Sequence, residues 1–189
     1  MKIVAFNASP SINGNTSWCV NQILESARKQ GAEAELFHTG KLGIKPCQGC
    51  LACHREGNSG CVVQDDMQRI YAVLEKADAL VLASPVYMGQ MTAQAKAFTD
   101  RLFAQINPRF SPNFKERNAG KKLLLVFTQG NPNPAMFKDY FDYTKRMFGL
   151  LEFEVREVQV VAGTRSVPAR EQKDLPDILK DIGAALALS

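Results

Sequence analysis

The sequence contains no long hydrophobic run: stretches such as Leu123–Phe127 reach five apolar residues and stop. A membrane-spanning helix needs about 20, so none is expected. The opening segment Met1–Phe6 is broken too soon by Asn7, Ser9 and Pro10 to act as a secretory signal, and the expected location is the cytoplasm. Histidine is scarce, with two in 189 residues, His38 and His54. His54 directly follows Cys53, yet neither histidine has a partner at metal spacing, and neither is given a role. No Ser/His/Asp grouping or pair of catalytic carboxylates stands out. Basic residues outnumber acidic ones only 23 to 19, with no basic stripe, which argues against a nucleic-acid partner and leaves a mild excess that suits a small anion. Internal repeats, low-complexity tracts and long linkers are all absent.

What is there is ordinary globular composition, 46% hydrophobic and 22% charged, at a length that suits one domain over 1–189. Branched apolar runs alternate with stretches of helical period. The expected strands cover 2–7, 33–38, 79–84, 122–128 and 154–161, and the expected helices 16–30, 65–76, 92–105, 134–148 and 175–188. Strand–helix alternation of this kind predicts an α/β fold, a doubly wound five-stranded parallel sheet in three αβα layers. The flavodoxin-like order 2-1-3-4-5 is the natural arrangement, with right-handed crossovers and the ligand at the strands' carboxyl ends. The chain is too short for a TIM barrel. Two loops are longer than the others, 39–64 and 106–120; the second carries Pro108, Phe110, Pro112 and Phe114 and reads as a covering or interface segment. Asp65-Asp66 is expected to cap the helix that follows.

The loop after the first strand reads Asn7-Ala8-Ser9-Pro10-Ser11-Ile12-Asn13-Gly14-Asn15-Thr16-Ser17. It lacks the glycine spacing of a dinucleotide fingerprint and the Gly-Lys-Ser/Thr of a Walker loop. It does offer hydroxyls at Ser9, Ser11, Thr16 and Ser17, an amide at Asn15, and the N-terminus of a helix, which together can wrap a phosphate monoester without a lysine. The same residues also describe a plain polar turn with an N-cap. Two further loops open at the same sheet edge: Ser84-Pro85-Val86-Tyr87-Met88-Gly89 after the third strand and Thr128-Gln129-Gly130 after the fourth. Each alone is an unremarkable Gly/Pro turn. Together they leave room for a flat heterocycle whose polar edge backbone groups could read.

Taken together, Ser9-Pro10-Ser11, Gly14-Asn15-Thr16, Ser84 to Gly89, Met91-Thr92-Ala93 and the following Lys96, Phe98, Asp100 and Arg101 resemble the NAD(P)H-dependent FMN reductase group of flavodoxin-like proteins. The resemblance implies that Ser9, Ser11, Asn15, Thr16 and Ser17 hold the phosphate of FMN. It implies that Pro85, Val86, Tyr87, Met88 and Gly89, with Thr128, Gln129 and Gly130, frame the isoalloxazine ring. Asp100 and Arg101 lie inside a helix, where a structural or interface role is expected rather than catalysis.

Four of the five cysteines crowd together as Cys47-x2-Cys50-x2-Cys53-x7-Cys61. Four thiolates at such spacing can surround a [4Fe–4S] cube, with Gly49, Gly57 and Gly60 permitting the turns. Tetrahedral zinc also accepts four cysteines, although two separated pairs are its usual pattern, and thiols without any metal are a third reading. The array is similar to that of the iron–sulfur flavoproteins, which implies a cluster exchanging electrons with FMN. Cys19, alone on the first helix, reads as a small buried hydrophobe. The activity so implied is an FMN-dependent oxidoreductase, with NAD(P)H or a reduced carrier such as ferredoxin as donor and an acceptor such as a quinone; the chemistry is the cofactors' and no side chain is expected to be catalytic. The rival readings are a non-enzymatic flavodoxin-like electron carrier and a zinc-stabilised flavin-binding module. Membership of the reductase group further implies a homodimer or homotetramer.

Overall fold

The structure is a computed structural model and describes residues 1–55, 58, 60–105 and 118–188. Apolar runs bounded by polar residues form the inner strands β1 (Lys2–Asn7), β3 (Ala79–Tyr87) and β5 (Lys122–Thr128), and segments of interspersed polar and apolar residues form β2 (Glu33–His38) and β6 (Glu154–Val161). A two-residue strand β4 (Gln90–Met91) folds back on the end of β3. The helices are α1 (Asn15–Lys29), α2 (Met67–Glu75), α3 (Ala93–Arg101), α4 (Lys138–Leu150) and α5 (Leu175–Leu188).

The sheet runs β2-β1-β3-β5-β6 with every neighbouring pair parallel, and β4 pairs antiparallel with β3 alone. The five long strands therefore take the expected order, with the short β4 as an addition. Side chains alternate across each strand, so one sequence supplies two cores. Ile3, Ala5, Val81, Ala83, Leu124 and Val126 face α1 and α5. Val4, Phe6, Leu80, Leu82, Leu125 and Phe127 face α2, α3 and α4, where Phe6 stacks on Phe98 at 4.1 Å and Phe127 on Phe141 at 4.5 Å. Helices on both faces complete the three layers.

Three boundaries differ from expectation. β3 runs past Pro85 to Tyr87, because Pro85 still pairs in register with Thr128 and the next two residues pair with β4. The helix expected over 92–105 ends at Arg101 and tightens into a 3-10 turn over Leu102–Gln105. The fourth helix begins only at Lys138, since residues 134–137 form a turn after Pro134. Of the loop at 106–120, residues 106–117, including Phe110 and Phe114, lie outside the described residues; Asn118 is buried and donates to the Leu151 carbonyl at 3.0 Å. Cys19 is fully buried, and burial pushes its thiol up to about 12, as suits a small hydrophobe. No helix among the described residues is long and apolar enough to cross a membrane.

Candidate functional site

The carboxyl ends of β1, β3 and β5 bring the three expected loops to one edge. The first loop is organised around buried Asn7, the last residue of β1. Its Nδ2 donates to Ser17 Oγ at 2.8 Å and its Oδ1 accepts the Ser9 N–H at 3.0 Å. Ser17 Oγ in turn donates to the Ser11 carbonyl at 2.8 Å, and Ser9 Oγ accepts the Ser11 N–H at 3.1 Å. The hydroxyls are thus held in a preformed ring of short bonds. Thr16 Oγ1 lies 2.6 Å from Thr128 Oγ1, which ties the first loop to the end of β5. Asn15 is placed differently from its neighbours: its Oδ1 accepts the Ala169 N–H at 2.9 Å and so anchors a distant turn.

Helix α1 opens at Gly14, which supplies no side-chain cap, and no acidic residue occupies the first turn. Its leading N–H groups are accordingly presented to the loop with the positive end of the helix dipole. A Cβ at Gly14 would meet Cβ and Oγ of Ser11 at 3.2 Å, so glycine keeps this concavity open. An uncapped helix start, a ring of hydroxyls and a glycine that leaves space all fit the phosphate of FMN.

The second loop is a tight hairpin. Val86 pairs with Met91 and Tyr87 with Gln90, and the two residues between, Met88 (φ 50°) and Gly89 (φ 80°), both have the positive φ that a type I′ turn needs. Met88 is 100% exposed at the tip and Tyr87 is half-exposed. Behind the hairpin, Thr92 Oγ1 donates to the Ala8 carbonyl at 2.9 Å and accepts the Ala95 N–H as the cap of α3, while the Thr92 N–H donates to Ser84 Oγ at 3.0 Å. In the third loop Gln129 is buried. Its Nε2 donates to the carbonyls of Asn131 and Asn133 at 3.1 and 2.7 Å, and its Oε1 is a buried acceptor with no partner among the described residues. Gly130 lies against Arg165, where an added Cβ would meet Arg165 Cβ at 3.3 Å. An unpaired acceptor beside flexible backbone is what the polar edge of a flavin would meet.

Asn7, Ser84 and Thr92 are the frame of this site; all three stand in the motifs of the sequence, and none is assigned a site role there. Asn7 and Ser84 had a signal, a polar residue closing an otherwise apolar strand. Arg165 had none, since it reaches the site from the loop after β6.

The cysteines occupy a second region. All four are free thiols, Cys47 and Cys50 exposed and Cys53 and Cys61 half-buried. Left-handed residues at Gly49 (φ 63°) and Leu51 (φ 54°) turn the chain between them. Burial, and after it the neighbouring Cys61, Cys47 and Cys50, push the Cys53 thiol up, so its thiolate is disfavoured until a cation compensates it. No three Cys, His, Asp or Glu side chains among the described residues stand ready to hold a metal. By the chemistry of the donor set, four soft free thiols on one short loop, these residues fit an iron–sulfur cluster.

The neck of this loop is closed by acids and an arginine. Asp65 Oδ2 accepts the Lys45 N–H at 2.9 Å and Asp66 Oδ2 accepts the Gly43 N–H at 2.6 Å. This corrects half of the expected capping role: Asp66 makes no side-chain cap, whereas Asp65 Oδ1 accepts the Met67 N–H at the start of α2 at 3.0 Å as well as an N–H of Arg101 at 3.2 Å. Asp65 pairs with Arg101 at 2.8 Å, the two side chains 3% and 1% exposed, so Arg101 is structural as expected, while Asp100 makes an exposed pair with Lys96. Burial would raise the Asp65 carboxyl, but Arg101 and the N–H groups of Lys45 and Met67 outweigh it and hold it below its ordinary 3.8. A depressed carboxylate lends stability above its unfolded value and withdraws it as pH falls through the folded one. The neck should therefore loosen on acidification below that range, and hydrogen exchange of residues 43–66 followed against pH should show it; protection that persists unchanged there would contradict it.

A family model described as NADPH-dependent FMN reductase matches residues 1–136. An iron–sulfur flavoprotein of Methanocaldococcus jannaschii is 36% identical over 101 residues, 53% of this chain and 51% of that protein. Another from Archaeoglobus fulgidus is 32% identical over 151 residues, 80% of this chain and 65% of that protein. The chain thus spans between half and two thirds of the length of these relatives. Among solved structures, an NAD(P)H:quinone oxidoreductase from Methanothermobacter marburgensis superposes with a TM-score of 0.76 at 14% identity, covering 98% of this chain and 96% of that one, which speaks for the fold. On the family match over most of its length, and on the sheet and loops that carry it, this chain belongs to the NADPH-dependent FMN reductase family.

Proposed function

We propose that the chain is an FMN-dependent oxidoreductase of the iron–sulfur flavoprotein kind, moving electrons between NAD(P)H and an acceptor such as a quinone. The observation that carries this reading is the hydroxyl-lined loop at an uncapped helix start, with Gly14 keeping its concavity open. Bound there, FMN supplies the ability to take electrons in pairs and release them singly, whereas a [4Fe–4S] cluster handles one at a time.

The protein's own residues bind and orient. Ser9, Ser11, Thr16 and Ser17 with the first N–H groups of α1 hold the phosphate, and Asn15 assists through its free amide NH2. Thr128, Gln129 and Gly130 on one side and Pro85 to Gly89 on the other frame the ring, and exposed Tyr87 and Met88 supply apolar surface against it. Cys47, Cys50, Cys53 and Cys61 are the ligands of the cluster. The relatives named iron–sulfur flavoproteins support this part of the reading.

Freshly prepared anaerobic protein should show resolved flavin absorption bands above a broad shoulder that dithionite bleaches. Cys50→Ala should abolish the shoulder and the bound iron and leave the flavin bands in place. Colourless protein that stays so after incubation with FMN would overturn the whole reading. Zinc without iron would overturn the cluster alone. Normal photoreduction with no oxidation of NADH or NADPH would turn the assignment to an electron carrier.

A further inference from the structure

We propose that Arg101 is the positioning residue of the cysteine loop, its guanidinium drawing the two flanks of the four-cysteine array together onto α3. The inference rests on the cluster reading above, and its geometry is independent of it. Nη1 of Arg101 donates to the Lys45 carbonyl at 2.9 Å and to Asp65 Oδ2 at 2.8 Å; Nη2 donates to the Val63 carbonyl at 3.3 Å and to Asp65 Oδ1 at 3.2 Å. Lys45 stands two residues before the first cysteine of the array and Val63 two residues after the last. One side chain therefore grips the chain at symmetric points on either side of the array, and Asp65 completes the grip through the Lys45 N–H.

The surroundings keep the clamp rigid. The Tyr71 hydroxyl of α2 donates to the Arg101 carbonyl at 2.6 Å, and Gln68 Nε2 donates to the carbonyls of Cys61 and Val63 at 2.8 and 2.7 Å. The other end of α3 is capped by Thr92, which bonds Ala8 of the phosphate loop. A single nine-residue helix thus joins the flavin edge to the cysteine neck.

Fold stability alone is a poor reason for such a group. A buried ion pair gains little over an apolar pair of the same volume, because desolvation cancels most of the attraction. Forked recognition of two carbonyls and a carboxylate is what a guanidinium adds and an ammonium cannot reproduce.

Two variants of the full chain test this. The double variant Arg101→Met with Asp65→Leu removes the clamp without stranding a buried charge, and Arg101→Lys keeps the charge without the fork. Each is compared with wild type for FMN content, iron and sulfide content after anaerobic reconstitution, and hydrogen exchange of residues 43–66. With FMN content unchanged, the double variant should lose its iron and exchange faster across 43–66. Arg101→Lys should recover part of the iron. Wild-type iron and wild-type exchange in both variants would overturn the clamp. Iron-free wild type would overturn the cluster reading instead, and the clamp would then stand or fall on the exchange of 43–66 alone.

Discussion

Gly183→Ala should lower the thermal midpoint by roughly 4–8 °C, since its added Cβ meets closer backbone than at any other described glycine. Gly183 sits inside α5 where it crosses α1, and an added Cβ would lie 2.2 Å from the Ile23 carbonyl oxygen and 2.9 Å from Ser26 Cβ. The obstacle is backbone, so no rotamer change relieves it. Alanine is worth about 1 kcal/mol over glycine in a helix interior, which works in the opposite direction. Overpacking against fixed backbone costs about 1–3 kcal/mol or more, and here the crossing must widen along its length. Leu179, Ile182 and Leu186 would be drawn away from Val20, Ile23 and Leu24, and the bond from Ser26 Oγ to the Lys180 carbonyl at 2.6 Å would stretch. A thermal melt at neutral pH checks it; an unchanged or higher midpoint would show that the crossing is looser than the structure has it.

The second large effect concerns the phosphate loop. Ser9→Ala combined with Ser11→Ala is expected to weaken FMN binding about 100-fold, taking roughly 1.5 kcal/mol for each hydrogen bond to the dianion. Riboflavin has the same ring and no phosphate, so its affinity for the double variant should equal its affinity for wild type. Titration of apoprotein with both ligands separates the two contributions. Equal losses for FMN and riboflavin would place these serines away from the phosphate. Full retention of FMN would remove them from the site altogether.

How much of this was legible beforehand depends on the range of the interaction. Four of the five long strands fall on their expected residues: β1 and β5 are apolar runs ended by a polar residue, and β2 and β6 intersperse polar and apolar residues as strands at the sheet's rims do. β3 was read short since Pro85 looks like a breaker, yet at a strand's last turn a missing N–H costs little, and the Tyr87-Met88-Gly89-Gln90 reversal has no Asn-Gly to announce it. The hydroxyls of the first loop were readable as a group, since they lie within nine residues of one another. Their assignments were not: Asn15 turns its oxygen to Ala169, and Thr16 meets Thr128, partners 154 and 112 residues away. Asp65 and Asp66 illustrate the same limit. Their position before a helix matches a local rule that Asp65 obeys through the Met67 N–H, while the buried Arg101 from another helix engages the same carboxylate.

The order of the sheet leaves β2 and β6 as its two rims. β2 carries Glu33 and Glu35 and β6 carries Glu154, Arg156 and Glu157, all exposed or half-exposed. Another chain adding a strand along either rim would have to cover these charges, with no matching ladder to neutralise them. Among the described residues, the backbone at both margins is thereby discouraged from the edge-to-edge pairing that leads to fibre-like polymerisation, while the apolar centre is covered by helices on both faces.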